Sequence, residues 1–157
     1  MASNDMGGRR ESPATVAIAS DHAGYTLKAD IGDLLVELGY SLLDLGADGP
    51  QSVDYPDFAD ALADALADRR AELGVLICGT GIGMAMAANR HRHIRAANCH
   101  DTTAARLSRQ HNDANVLTLG ARTTGAEAAR DCVRVFFATA FDGDANARHI
   151  RRVGKMS

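Results

Sequence analysis

Cys78-Gly79-Thr80-Gly81-Ile82-Gly83 gathers a thiol, a hydroxyl and three alternate glycines into six consecutive residues. Glycines in this pattern let the backbone approach a ligand closely. The segment follows the apolar run Gly74 to Cys78 and precedes a stretch with helical spacing, so it reads as a strand-to-helix turn. A helix start offers unpaired N–H groups and the positive end of a dipole. Such a turn can hold a phosphate, a nucleotide or a developing oxyanion. A plain tight turn accounts for the glycines equally well. Cys78 tips the balance, because a thiol facing a helix N-terminus sits where the thiolate is favoured and can act as nucleophile or proton acceptor. The competing reading is a buried cysteine used only for packing.

As a nucleotide signature the turn is poor. The third glycine comes one position early for a dinucleotide fingerprint, and Ile82-Gly83-Met84 lacks the lysine of a phosphate loop. Other polar groupings carry less chemistry. Cys99-His100-Asp101 spells a triad in consecutive residues, but a strand sends neighbours to opposite faces. His91 and His93 lack a third nearby ligand and read as a solvated loop. Asp57, Asp60, Asp64 and Asp68 recur at helical spacing opposite Phe58, Leu62 and Leu66, which is the pattern of a solvated helix face.

The elements that must position these residues alternate along the chain. Strands are expected at Thr15–Ala19, Ser41–Leu45, Gly74–Cys78, Ile94–Cys99 and Val116–Leu119. Helices are expected at Tyr25–Leu38, Asp57–Leu73, from the glycine turn to about Asn89, at Thr102–Gln110 and at Ala126–Phe141. Gly46 to Pro56 reads as loop, and the tail carries Arg148, His149, Arg151 and Arg152. Regular alternation implies an α/β fold, with a five-stranded parallel sheet between two helical layers. Ligands of such sheets bind beyond the carboxyl ends of the strands. Here those ends are Asp21-His22, Cys78-Gly79-Thr80 and Cys99-His100-Asp101.

Composition narrows the classes. The 157 residues suit one domain, expected over residues 14–157 behind a polar, disordered lead of residues 1–13. A net charge of -3 gives no general attraction to nucleic acid or anionic membrane, and no apolar run reaches membrane-spanning length. Three widely spaced cysteines without a C-x-x-C argue against a disulfide framework or structural zinc. With no signal peptide in the lead, a cytoplasmic location is expected.

Taken in order, Asp21-His22-Ala23-Gly24, Ser52 to Ala59, Cys78 to Gly83, Ala87-Ala88-Asn89, Ser108 to Asp113 and Gly120-Ala121-Arg122 closely resemble type B ribose-5-phosphate isomerases and their sugar-phosphate isomerase relatives. The likeness runs from about Thr15 to Arg152. It implies a Rossmann-like three-layer sandwich, a homodimer with its active site between subunits, and no metal or organic cofactor. Pairing of dimers into tetramers stays open. The chain ends soon after Arg152, where many relatives carry a longer C-terminal helix, so a less extensive dimer is expected.

The implied reaction moves a proton between adjacent carbons through an enediolate. By the resemblance Cys78 is the base. One branch of the family uses a glutamate just after the glycine turn instead, and here Met84 holds that place. The N–H groups from Gly79 through Gly81 and Ile82 to Gly83, with the Thr80 hydroxyl, can stabilise the enediolate oxygen. The resemblance assigns sugar-ring opening to His111, with Asn112 beside it, a role that suits an imidazole titrating near neutrality. It assigns the phosphate to His22, Arg122, Arg148 and Arg152, and further substrate contacts to Asp21 and Tyr55. Arg148 and Arg152 stand four apart, on one face of a helical tail, and guanidinium forks fit phosphate oxygens. A nucleic-acid patch there is disfavoured, because only three arginines cluster on an acidic protein. Arg151 is expected off the Arg148–Arg152 face, and His149 carries no assigned role. The expected reaction is the interconversion of ribose 5-phosphate and ribulose 5-phosphate. The alternatives are a galactose or allose 6-phosphate isomerase, or a non-catalytic nucleotide-binding module.

Overall fold

A computed structural model describes residues 12–157, so the lead expected over residues 1–13 lies almost wholly outside the described residues. Five parallel strands run β1 (Thr15–Ser20), β2 (Ser41–Asp44), β3 (Leu73–Cys78), β4 (Ala96–Asn98) and β5 (Val116–Gly120), in the spatial order β2-β1-β3-β5-β4. Between and after them lie α1 (Tyr25–Glu37), α2 (Tyr55–Ala67), α3 (Ile82–Ala88), α4 (Thr102–Asn112), α5 (Ala126–Ala138) and α6 (Ala147–Gly154). The expected α/β sandwich with a five-stranded parallel sheet is the observed one.

Side chains that alternate along the strands divide between two cores. Val16, Ile18, Val75, Ile77, Leu117 and Leu119 face α1, α4 and α5, where Ile31, Leu35, Val133 and Phe136 complete the packing. Ala17, Ala19, Leu76 and Cys78 face α2 and α3, against Leu62, Met84 and Ala88. The second face is built largely of alanines, so α2 and α3 lie close to the sheet. Gly74 is part of that closeness, since a side-chain carbon there would stand 2.7 Å from Leu62 Cδ2.

Several boundaries differ from the expected ones, each for a local reason. α2 starts at Tyr55 because Pro56 is compatible with the first helical turn, and it ends where Arg69 turns left-handed at φ 58°. β4 keeps only Ala96–Asn98 of the expected Ile94–Cys99, and Ile94 is buried in the preceding turn. The Asn89 side chain supplies partners on Ala96, accepting from its N–H at 2.8 Å and donating to its carbonyl at 3.0 Å. α4 runs two residues beyond Gln110 and stops at left-handed Asp113. α5 stops at Ala138, where Thr139 leaves the helix and its carbonyl accepts from Arg109 Nε at 3.2 Å.

The chain moves outward from β1 to β2, then returns across β1 to place β3 on its other side. β1 and β3 therefore flank the point where the winding reverses, and a crevice opens at their carboxyl ends.

Candidate active site

The crevice holds the glycine turn. Cys78 closes β3 on the α2–α3 face, almost buried, with its sulfur accepting the Gly81 N–H at 3.2 Å. That donor stands where negative charge on sulfur would develop. Gly81 has φ 77°, a left-handed conformation that glycine adopts without the Cβ penalty. The Ile82 N–H donates to Thr80 Oγ1 at 3.2 Å, which leaves the hydroxyl proton free for a substrate oxygen. The other glycines make room for neighbours. A side-chain carbon on Gly79 would press on Arg122 Nη1 at 3.3 Å, and one on Gly83 would strike the Tyr55 ring at 2.6 Å.

Asp21 lies just past β1, buried, and its Oδ1 accepts the N–H groups of Ala23 at 2.9 Å and Gly24 at 3.2 Å. The turn into α1 is thus fixed by the carboxylate itself. His22 accepts the Val53 N–H on Nδ1 at 3.3 Å, which sets the neutral tautomer with its proton on Nε2. Together Asp21, Tyr55, Cys78, Gly79, Thr80, Ile82, Gly83, Met86 and Arg122 line one open cleft of about 420 Å³. It joins an acceptor carboxylate, a thiol, a fan of N–H donors and a guanidinium over an apolar rim.

The remaining candidates stand elsewhere. His111 and Asn112 close α4, one residue before the chain turns toward the start of β5. They therefore sit at the amino-terminal edge of the sheet, a strand length from Cys78. Asn112 lines a separate cavity of about 370 Å³ with Asn89, Arg95, Ser108 and Met156. Arg148 and Arg152 are exposed on α6, which packs on α4. His149 points inward from the same helix and stacks on His111, centroids 4.5 Å apart and planes at 11°. The candidate residues of one chain thus fall into two groups, at opposite ends of its sheet.

A family model described as Ribose/Galactose Isomerase matches residues 16–156. The chain belongs to the ribose/galactose isomerase family. Among its relatives, ribose-5-phosphate isomerase B of Escherichia coli is 41% identical over 88% of this chain and 91% of that protein. A putative sugar phosphate isomerase of Bacillus subtilis is 44% identical, covering 90% and 94%. The solved ribose-5-phosphate isomerase B of Clostridium thermocellum superposes with a TM-score of 0.87 at 45% identity, over 90% of this chain and 94% of that one.

In this isomerase the weaker groupings have structural roles. Asp101 caps α4 by accepting the Ala104 N–H at 2.7 Å, and burial pushes the Cys99 thiol up to about 11, so the consecutive triad residues do separate jobs. His91 and His93 are not merely solvated. His91 Nε2 meets Asp60 Oδ1 at 2.7 Å and His93 Nε2 meets the Ala63 carbonyl at 2.8 Å, fastening their turn to α2. Asp60 leaves the solvated stripe for that contact and for Arg90 at 3.2 Å. Among the described residues no cluster of His, Cys, Asp and Glu has the makings of a metal site.

Three contributors escaped the sequence reading. Met86 covers the cleft rim one helical turn beyond Ile82. Lys28 is buried in α1, donating to Asp44 Oδ1 at 2.6 Å and to the Ala47 carbonyl at 2.9 Å, and so anchors the chain leading to Val53 and Tyr55. Its signal was available as a lone cation three residues before Ile31 in the buried stripe of α1. Asn98 ends β4 beside the glycine turn, a polar residue where a short strand reaches the crevice.

Proposed function

We propose that this isomerase interconverts ribose 5-phosphate and ribulose 5-phosphate, with Cys78 as the base. The observation that carries the reading is Cys78 at the wall of the cleft, its sulfur held by the Gly81 N–H, with the rest of the glycine turn lining the same cleft. The thiolate takes the proton from carbon 2 of the open-chain aldose, and the electron pair moves into the carbon 1–carbon 2 bond as the enediolate forms. The thiol then returns a proton to carbon 1, and the carbonyl re-forms at carbon 2. The proton of carbon 2 ends on carbon 1, the hydroxyl proton passes from oxygen 2 to oxygen 1, and no net oxidation occurs, so the reading calls for no redox cofactor. With the Gly81 N–H spent on the sulfur and the Ile82 N–H on the Thr80 oxygen, the remaining N–H groups between Gly79 and Gly83 and the Thr80 hydroxyl meet the developing oxyanion, where one such donor is worth about 3 kcal/mol.

The reading completes each cleft with a second copy of the chain. His111 of the partner subunit opens the sugar ring, with Asn112 of the partner subunit beside it. Arg148 of the partner subunit and Arg152 of the partner subunit bind the phosphate with His22 and Arg122. The separation of the two groups within one chain supports this arrangement. Asp21 and Tyr55 hold substrate hydroxyls. Three free cysteines suit work in a reducing compartment such as the cytoplasm. Among the described residues no helix is long and apolar enough to cross a membrane.

Family membership sets aside the non-catalytic nucleotide-binding alternative. Substrate length is the finer question, because a relative from Pectobacterium atrosepticum, 39% identical, is a D-erythrulose-4-phosphate isomerase. The test is turnover of ribose 5-phosphate beside erythrulose 4-phosphate and the galactose and allose 6-phosphates. The highest kcat/KM is expected for ribose 5-phosphate. A preference of tenfold or more for another of them, on the order of 1.4 kcal/mol of transition-state binding, would reassign the substrate.

A further inference from the structure

We propose that Asn98 is a positioning residue for Cys78, acting through the peptide bond between Thr80 and Gly81. The two faces of that peptide have different partners. Its N–H, on Gly81, donates to Cys78 Sγ at 3.2 Å, and its carbonyl, on Thr80, accepts from Asn98 Nδ2 at 3.4 Å. Because a carbonyl can only accept, the Asn98 amide must present its NH₂ there, which turns Oδ1 toward Thr118. Thr118 is fully buried on β5, and its hydroxyl donates to Asn98 Oδ1 at 3.1 Å. A chain of hydrogen bonds therefore runs from the sheet interior through Asn98 to the peptide plane and ends on the sulfur. Gly81 is pressed against the same amide, since a side-chain carbon at that position would collide with Asn98 Oδ1.

This plane needs an anchor. Gly81 sits in a left-handed conformation, and glycine turns are the backbone most free to rotate a peptide. Rotation about the plane would withdraw the N–H from sulfur and aim the Thr80 carbonyl toward it, replacing a donor with a like-signed dipole. Asn98 holds the carbonyl on the far side. The ionisable groups that share the cleft with Cys78 are Asp21 after β1, Tyr55 of α2 and Arg122 after β5, while the cleft-lining part of α3 contributes Ile82, Gly83 and Met86. Substitution at Asn98 alters none of these.

The inference rests on Cys78 being the base, and its test is separable from that reading. Asn98→Leu alone would strand the buried Thr118 hydroxyl, so it is combined with Thr118→Val. Replacing both partners by apolar groups of similar shape is close to neutral for stability. Alkylation of Cys78 by iodoacetamide is followed by peptide mass mapping across a pH series, with the buried Cys99 and Cys132 as internal references. The double variant is expected to melt within a few degrees of the parent. Its Cys78 alkylation is expected to slow about tenfold near neutrality and to match the parent in alkali, where the thiol is fully ionised. Its kcat is expected to fall by a similar factor with KM little changed. A pH profile superimposable on the parent's in a folded double variant would overturn the proposal. Turnover of Cys78→Ala at the parental rate would remove the base assignment instead, and would leave the alkylation result to be judged alone.

Discussion

At the scale of residues, the site separates groups that do chemistry from groups that hold them. Asp21, His22 and Thr80 each spend one acceptor on the backbone, and on the proposed reading keep another polar atom for substrate. The turn from Cys78 to Gly83 was legible because its geometry is local, a thiol at a strand end and glycines at a helix start. His149 was not legible, because its role comes from α6 folding back on α4. Burial pushes its imidazole below the ordinary value of 6.5, and His111, Arg148 and Arg152 push in the same direction while Asp142 opposes them. The unfolded chain therefore binds this proton more readily than the folded one. The stability tied to His149 is whole above pH 6.5 and is lost as the pH falls through the window beneath that value. His149→Phe keeps an aromatic ring on His111 and removes the titration. Urea unfolding at a series of pH values is expected to show a shallower acid loss in the variant than in the parent. Equal slopes would show that other groups set the acid limb.

At the scale of elements, the sheet legislates more than the helices do. Near-continuous apolar runs marked β1, β3 and β5 because both faces of those strands are covered. Edge strand β4 and the ends of α2, α4 and α5 were less legible, since they are set by side-chain contacts such as Asn89 to Ala96 and Arg109 to Thr139, which no periodicity records. Lys28 is the clearest case. It reaches from α1 to the segment after β2, and that segment leads to the backbone of Val53 and the ring of Tyr55. Lys28→Met is expected to cost about 1–3 kcal/mol in chemical denaturation, because the Ala47 carbonyl loses its charged donor while half-exposed Asp44 recovers water. KM for the sugar phosphate is expected to rise with it. A variant as stable as the parent with unchanged KM would show that the segment needs no anchor.

At the scale of the whole molecule, the proposed reading leaves each chain with half of what isomerisation requires. The cleft at the carboxyl ends of β1 and β3 has the thiol and the oxyanion donors, while α4 and α6 carry the imidazole and two guanidinium groups at the other end. Sequence order listed all of these residues and could not say which share a space, because that depends on which end of a strand or helix each occupies. If the halves meet across a two-fold axis, Cys78→Ala and His111→Ala damage different contributions to the same composite site. Each variant alone is expected to be nearly inactive. After unfolding and refolding as an equal mixture, half of the dimers are mixed and each mixed dimer has one intact site, so about a quarter of parental activity is expected to return. No recovery from a mixture shown to contain mixed dimers would place both residues in one subunit's site.

The most direct test of the central claim is steady-state conversion of ribose 5-phosphate by Cys78→Ala beside calorimetric binding of the same sugar phosphate. The substitution removes a sulfur from the cleft wall and leaves the phosphate and hydroxyl contacts in place. Turnover is expected to fall by at least about a thousandfold, as when a general base is deleted, with affinity within a few-fold of the parent. Turnover near the parental rate in a folded, substrate-binding Cys78→Ala would contradict it, and would pass the proton to another group in the cleft.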